Sequence, residues 1–337
     1  MSVPIVSYVP AWLDACALYR LFLPHLHTPY SRFTFHRIRT PVEEMADASV
    51  IVVQRQCSQG NMLALRQMRE MGLKVVYDLD DDLWSIPGSS PAKKIFEPVK
   101  AGFGACMHFC DCLTVSTEGL KTAVQTAVPV ARTKPIHVIP NGIDFNYMRP
   151  SVLPKNKNKV VVGWGGSNTH AGDVGIAWSV LPELLEELPQ LHLEFVGMYP
   201  PAKLINHERV RMREFVPVGE FSSRFASWGW DIVLAPLDSC RFNNSKSNIK
   251  MLEASAIGAP CLASDFGPYR NFCELSPDLG WLLCKTTSDW KNKIRELVLN
   301  EERRIEMAAR MRRVAEEHFE QGKLISKWIE VFEGLVQ

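Results

Sequence analysis

Short runs of apolar and β-branched residues alternate along this chain with longer segments whose apolar positions recur every three or four residues. In the first half the runs fall at 49–53, 74–77, 113–115 and 137–139, and each reads as a strand. Between them, 61–71 reads as a helix ending at Gly72, and 117–127 as a helix that Ser116 can cap. Strand, helix, strand at this spacing predicts a parallel sheet with crossover helices. The stretch 150–159, PSVLPKNKNK, is rich in proline and lysine and lacks periodicity, which makes it the best linker in the chain. The same alternation then restarts. Strands are expected at 160–164, 193–196, 231–235 and 261–263, an amphipathic helix at 174–188, and a helix at 244–257 closed by Gly258. Near the end, Ile325, Trp328, Ile329, Phe332 and Leu335 form the stripe of a helix docked on a surface. The fold class is therefore α/β, with two doubly wound parallel-sheet domains of similar size.

Composition narrows the class without naming a partner. Of 337 residues, 46% are hydrophobic and 22% charged, which excludes a disordered or fibrous protein and leaves room for two domains. The 38 basic and 37 acidic side chains nearly cancel, so binding to a polyanion would have to come from a local groove. The longest apolar candidate near the start, 15–24, is interrupted by Arg20, so neither a membrane span nor a signal peptide is expected. Nine scattered cysteines read as reduced thiols, and hence as a cytoplasmic protein. Cys106, His108, Cys110 and Cys112 crowd together, yet their spacing fits no common zinc pattern. Cys110 and Cys112 also open the apolar run Cys-Leu-Thr-Val.

Ligands of open parallel sheets bind beyond the carboxyl ends of strands, and three segments there carry candidate chemistry. The turn Gly163-Trp-Gly-Gly-Ser-Asn-Thr-His170 offers bare backbone amides that a phosphate can use, or it is a plain tight turn. Its Gly165, Gly166, Ser167 and His170 are donor-site candidates, with His170 and Asp173 equally able to cap the following helix. In the segment from Arg241 to Pro260, Lys246, Lys250 and Glu253 are spaced to share one stripe of a helix. Two ammonium groups opposing the helix dipole suit a diphosphate, and Glu253 suits ribose hydroxyls; the alternative is a solvated face with a Lys250–Glu253 pair. The third segment holds Asp78, Asp80, Asp81 and Asp82 at a strand end. Such a cluster can hold Mg²⁺, hydrogen-bond an acceptor's hydroxyls, or form an exposed turn.

The segment Lys250-Met-Leu-Glu253-Ala-Ser-Ala-Ile-Gly258-Ala-Pro260 resembles the donor-site signature of GT-B glycosyltransferases, in particular the retaining family-4 type. Trp230-Asp-Ile-Val-Leu-Ala-Pro236 and Pro140-Asn141-Gly142-Ile-Asp144 are similar to that family's strand before the donor loop and its hinge-side motif. The resemblance runs from about Val50 to Leu335 and is most specific in the second half. It implies a Rossmann-like acceptor-side domain over 1–150, a linker at 151–159 and a nucleotide-sugar domain over 160–318. Residues 319–337 would form a helix crossing back to the first domain.

By the same resemblance Glu253 meets the ribose of a UDP- or GDP-sugar. Lys246, Ser247 and Lys250 meet the diphosphate together with Gly165 and Gly166. Basic groups rather than a metal would neutralise the leaving group, so no cofactor is expected and Mg²⁺ is possible without being required. Asp80 and Asp81 join Lys246 and Lys250 as catalytic candidates. Tyr19, Arg20, Arg55 and Asp82 are candidates for the acceptor, although Tyr19 and Arg20 also read as a packed helix with Arg20 snorkelling.

Two departures from the family stand out. Ser245 occupies the position of a sugar-contacting glutamate, and Ser167, Asn168, Thr169 and His170 replace a basic pair. The expected acceptor is a glycan or small molecule. The alternative, also by resemblance, is a phage-type DNA glycosyltransferase modifying hydroxymethylated pyrimidines, its nucleic acid held by Arg32, His36, Arg37, Arg39, Arg55, Arg66, Arg69, Lys93 and Lys94. A silent nucleotide- or carbohydrate-binding protein is the third reading.

Overall fold

The computed structural model describes residues 5–28, 33–37, 40–150 and 158–337. It contains two six-stranded sheets, each flanked by helices and parallel throughout. The first is built from β1 (Val6–Val9), β2 (Phe33–Phe35), β3 (Val50–Gln54), β4 (Lys74–Leu79), β5 (Cys112–Val115) and β6 (Ile136–Val138), in the order β2-β1-β3-β4-β5-β6. The second comprises β7 (Val160–Gly165), β8 (Leu191–Val196), β9 (Val210–Arg213), β10 (Ile232–Ala235), β11 (Cys261–Ser264) and β12 (Leu283–Cys284), in the order β12-β11-β10-β7-β8-β9. Strands such as Val-Ile-Val-Val-Gln in β3 are buried at every position, because helices cover both faces of a parallel sheet. Each sheet reverses its strand order once, between β1 and β3 and between β7 and β10, and a crevice forms at such a reversal.

The eight expected strands are present with ends shifted by a residue or two, and β1, β2, β9 and β12 join them. Three helix expectations need correction. Thr117, not Ser116, caps the helix Glu118–Ala127 by accepting a bond from the Leu120 amide. The helix expected at 174–188 is two pieces, Gly175–Trp178 and Leu181–Glu187. Pro182 stands in the first turn of the second piece, where its missing amide costs nothing but ends any helix running into it. The segment 244–257 is likewise broken into Arg241–Asn244 and Ile249–Ile257, and only the second piece ends at Gly258, in the left-handed conformation at φ 72°. Lys246 therefore precedes the helix instead of sharing its stripe with Lys250 and Glu253. The linker expected at 151–159 lies almost wholly outside the described residues.

The last helix, Gln321–Val336, lays Ile325, Trp328 and Phe332 on Val6, Tyr8, Val50, Val52 and Val76 of the first sheet. A short parallel bridge between Ile143 and Glu320 leads into it. Cys106, Cys110 and Cys112 are buried in the first half, and all nine cysteines are free thiols. Among the described residues no helix is long and apolar enough to cross a membrane.

Candidate active site

The opening helical segment carries Tyr19 and Arg20 in a widened turn, Leu18–Phe22, just before Pro24. A proline ring cannot be accommodated against the carbonyl four residues back, so the turn expands by one residue there. Both side chains point inward. Arg20 neither snorkels nor faces a cleft: it is 1% exposed and grips Asp78, with Nη2 to Oδ1 at 2.7 Å and Nε to Oδ1 at 3.1 Å. It also donates to the Ile139 carbonyl and to Asn141 Oδ1 (3.2 Å), while its guanidinium lies over the Trp328 ring. All three of its nitrogens donate to protein and the side chain is out of reach of solvent, so Arg20 is a keystone and is withdrawn as an acceptor contact.

Tyr19 instead reaches the second half. Its hydroxyl donates to Glu253 Oε1 at 2.7 Å across 234 positions of sequence. Three further bonds close the same seam: Thr117 Oγ1 to the Ser245 carbonyl (2.8 Å), Asn141 Nδ2 to Ser247 Oγ (2.9 Å), and Lys246 Nζ to Asp81 Oδ1 (3.5 Å). Asp80, Asp81, Lys246, Ser247, Lys250, Glu253 and His170 are thereby gathered at one cleft. Asp82 is not in it. That carboxylate is fully buried, accepting from Ser85 Oγ and the Trp84 amide, with Arg241 Nε at 3.3 Å. It holds a turn, and the acceptor role expected for it is withdrawn. Arg55 is also buried, bound to Asp14 at 2.7 Å, 3.9 Å from Asp80 Oδ1 and stacked over Trp12. It borders a groove of about 720 Å³ shared with Trp12, Pro41, Gln56, Ser58 and Asn61.

The glycine turn is more mixed than its sequence implies. Gly163 lies within β7, where a β-carbon would overlap the buried Trp230 ring at 1.9 Å, so this glycine serves packing. Gly166 is the true loop glycine: a β-carbon there would crowd Trp164 at 2.9 Å, and its carbonyl would stand 2.5 Å from one placed on Gly197. The loop leads into a single tight turn, Asn168–His170, before any α-helix starts. Ser167 Oγ lies 2.6 Å from Thr169 Oγ1. Lys250 Nζ donates to the Gly165 carbonyl and sits over the Trp164 ring. Ser245 is buried and its hydroxyl turns toward the Arg241 carbonyl.

Charge in the cleft is held at a cost. Burial pushes Lys250 below its ordinary value, Glu253 opposing and Lys246 adding to the shift. Lys246 goes up, because Asp81 and Asp173 outweigh its burial. Burial lowers His170 to about 4, against the pull of Asp173, with Lys246 and Lys250 pushing the same way. His170 is therefore neutral at pH 7, its Nδ1 bonded at 2.8 Å to Asp173 Oδ2. Asp173 is fixed in turn by Asn243 Nδ2 (2.6 Å) and the Asp238 amide (3.1 Å). The imidazole is oriented as though for work at its other nitrogen.

Burial raises Asp80 to about 6 despite Arg55, with Asp81 adding to the effect. A carboxyl raised in the folded state binds protons more tightly there than when unfolded. Stability therefore falls as pH rises from about 4 through 6. Asp80→Asn is expected to stabilise the chain against urea at pH 7, with the gain gone at pH 4; equal gains at both pH values would refute this. Among the described residues, two groups could gather round a metal ion: Cys16 with Asp80 and Asp81, and His27 with Asp144 and Glu320. In the first, Arg55 and Lys246 already supply positive charge.

Sequence reading missed Cys16 and Thr117, which belong to no motif, and gave no role to Asn243 or Trp164 within the segments that hold them. Of the basic strip considered for nucleic acid, Arg32 and Arg39 lie outside the described residues. Arg55 is buried and Arg66 is paired with Glu70.

Two doubly wound six-stranded sheets facing each other across a cleft make the GT-B fold. Residues 179–323 match the family model described as glycosyl transferase-like. No curated protein matches the sequence. Among solved structures, the chain is similar to HepE of Anabaena, in complex with UDP-glucose, at TM-score 0.73 and 14% identity over 98% of this chain and 100% of that one. It is similar also to the sucrose-phosphate synthase of Thermosynechococcus elongatus, at TM-score 0.65 and 13% identity over 98% and 99%. TarM of S. aureus, in complex with Fondaparinux, alpha-GlcNAc-glycerol and UDP, aligns at TM-score 0.61 and 14% identity over 86% of this chain. This chain spans 58% of that protein's length. The fold is thus that of the GT-B proteins, and the second half carries a glycosyl transferase-like domain.

Proposed function

We propose that the chain transfers a sugar from a UDP-sugar to an acceptor hydroxyl, with retention and without a metal ion. The observation that carries this reading is the pairing of Lys246 and Lys250 with a neutral, oriented His170 at the carboxyl end of β7. Of the two crowded ammonium groups only Lys246 has a carboxylate in ion-pair reach among the described residues, Asp81 at 3.5 Å, and a diphosphate would give both an anion. Glu253 would take the ribose hydroxyls in exchange for Tyr19. The acceptor oxygen bonds to the anomeric carbon as the sugar–phosphate bond breaks, and its proton passes to the departing diphosphate. Two lysines and the loop amides then do the work a divalent ion does elsewhere. The choice of uridine is supported by the neighbours HepE and TarM, both solved with UDP or a UDP-sugar. The groove beside Trp12 and Arg55 is proposed for a glycan or small-molecule acceptor, its exposed indole suiting a sugar face.

Thermal unfolding with a panel of nucleoside diphosphates and nucleotide sugars tests this reading. UDP and one UDP-sugar are expected to stabilise the chain, by about 2.7 kcal/mol at a hundredfold excess over Kd, equally with Mg²⁺ or EDTA. Stabilisation by none of them refutes the enzyme reading in favour of a silent binding protein. Stabilisation only with Mg²⁺ refutes metal independence.

A further inference from the structure

Away from the cleft, three segments distant in sequence meet where the last helix crosses back. His27 follows the opening helical segment, Asp144 lies in the loop after β6, and Glu320 caps the helix Gln321–Val336. One ligand-capable atom from each lies within 4.8 Å of the others. We propose that these three side chains bind one Zn²⁺ ion, which staples the crossover.

The argument rests on what each group has left to offer. Asp144 Oδ1 is committed to the amides of Asn146 (2.7 Å) and Tyr147 (3.2 Å), which fixes the carboxylate and leaves Oδ2 turned to His27 Nε2 at 3.1 Å. Glu320 Oε2 accepts from the Lys323 amide at 3.1 Å as a helix cap, leaving Oε1 over. The backbones are locked in register, with the Ile143 amide bonding Phe319 O at 2.8 Å and the Gln321 amide bonding Ile143 O at 2.9 Å. Outer bonds of this kind orient ligands in metal sites.

Charge gives the independent reason for an ion. Two carboxylates stand this close, and among the described residues neither forms an ion pair with a lysine or arginine: Lys323 turns its ammonium to the Glu316 carbonyl, Arg149 bonds Asn146, and Arg312 lies over the Phe145 ring. A shared cation relieves that repulsion. One imidazole and two carboxylates suit a borderline ion such as Zn²⁺ better than Ca²⁺ or Mg²⁺, which favour all-oxygen shells. Ligand atoms about 2.0–2.1 Å from a tetrahedral zinc lie roughly 3.3 Å apart, close to the His27–Asp144 separation. With His27 23% and Asp144 10% exposed, water can enter and hold the fourth position.

The test uses the full chain, stripped with EDTA and freed of chelator, then titrated with Zn²⁺ alone and with Co²⁺ as a visible probe. One equivalent of Co²⁺ should give the absorption of a four-coordinate ion, and Zn²⁺ should abolish that absorption and raise Tm by about 3 °C. Both responses should vanish in Glu320→Gln, whose side-chain oxygen still caps the helix, and in His27→Ala, while surviving in Cys16→Ser. No response in the native chain overturns the proposal. So does a response that Glu320→Gln leaves intact, or one that Cys16→Ser removes, since the ion would then sit at the thiol in the cleft.

Discussion

Lys250→Ala should lower the rate of sugar transfer by roughly 10²–10³-fold, the loss seen when one fixed donor to a developing anion is removed. The ammonium is anchored by the Gly165 carbonyl and the Trp164 ring, so it needs no reorganisation when the diphosphate begins to leave. Burial already holds it below its ordinary value, a strain that the leaving group's charge relieves. The effect should fall on kcat more than on KM, because a departing diphosphate carries more charge on the bridging oxygen than a bound donor does. Glu253→Ala should do the reverse, weakening donor affinity about tenfold, a ribose contact made equally before and during reaction. Steady-state rates with a UDP-sugar separate the two. Native rates in both variants would remove this wall of the cleft from the mechanism.

The largest effect on stability is expected at Arg20. Its guanidinium joins Asp78 on β4, the Ile139 carbonyl and Asn141 beyond β6, and Trp328 on the last helix. Asp78 is wholly buried and is further bonded by Thr114 Oγ1 at 2.8 Å. Arg20→Ala strips a buried carboxylate of its only ion-pair partner among the described residues, at about 3–5 kcal/mol. Arg20→Met with Asp78→Asn should recover part of that, since the cost lies chiefly in the abandoned charge. Urea unfolding of the single and double variants measures both. A loss under 1 kcal/mol in the single variant would mean that water reaches Asp78.

The two sheets were legible because their central strands are unbroken apolar runs, and such runs at helix-length intervals have few other solutions. The four further strands carry weaker signals. β9, Val-Arg-Met-Arg, is largely exposed at the edge of its sheet, and β12 has two residues. The break before Ile249 is not visible in the pattern because Ser245, Ser247 and Asn248 are tolerated in a helix, whereas the bonds that hold the break open come from the other domain. Ser247 goes to Asn141 and the Ser245 carbonyl to Thr117. In the cleft, residue types at strand ends pointed to Lys250, Glu253 and His170. They could not distinguish Arg20 from Arg55 or Asp82 from Asp81, because what separates those is a partner tens of positions away. Tyr19 meeting Glu253 is the extreme case, since no periodicity connects residues 234 apart.

The last helix gives the chain an unusual order of assembly. Its apolar stripe seals the face of the first sheet formed by Val6, Tyr8, Val50, Val52 and Val76, yet it is made only after the second domain. The first domain therefore waits through synthesis of the whole second domain with a bare hydrophobic face. The nascent chain is open to chaperone capture or mispairing during that interval, and the first domain becomes complete only when a helix made after the second domain docks on it.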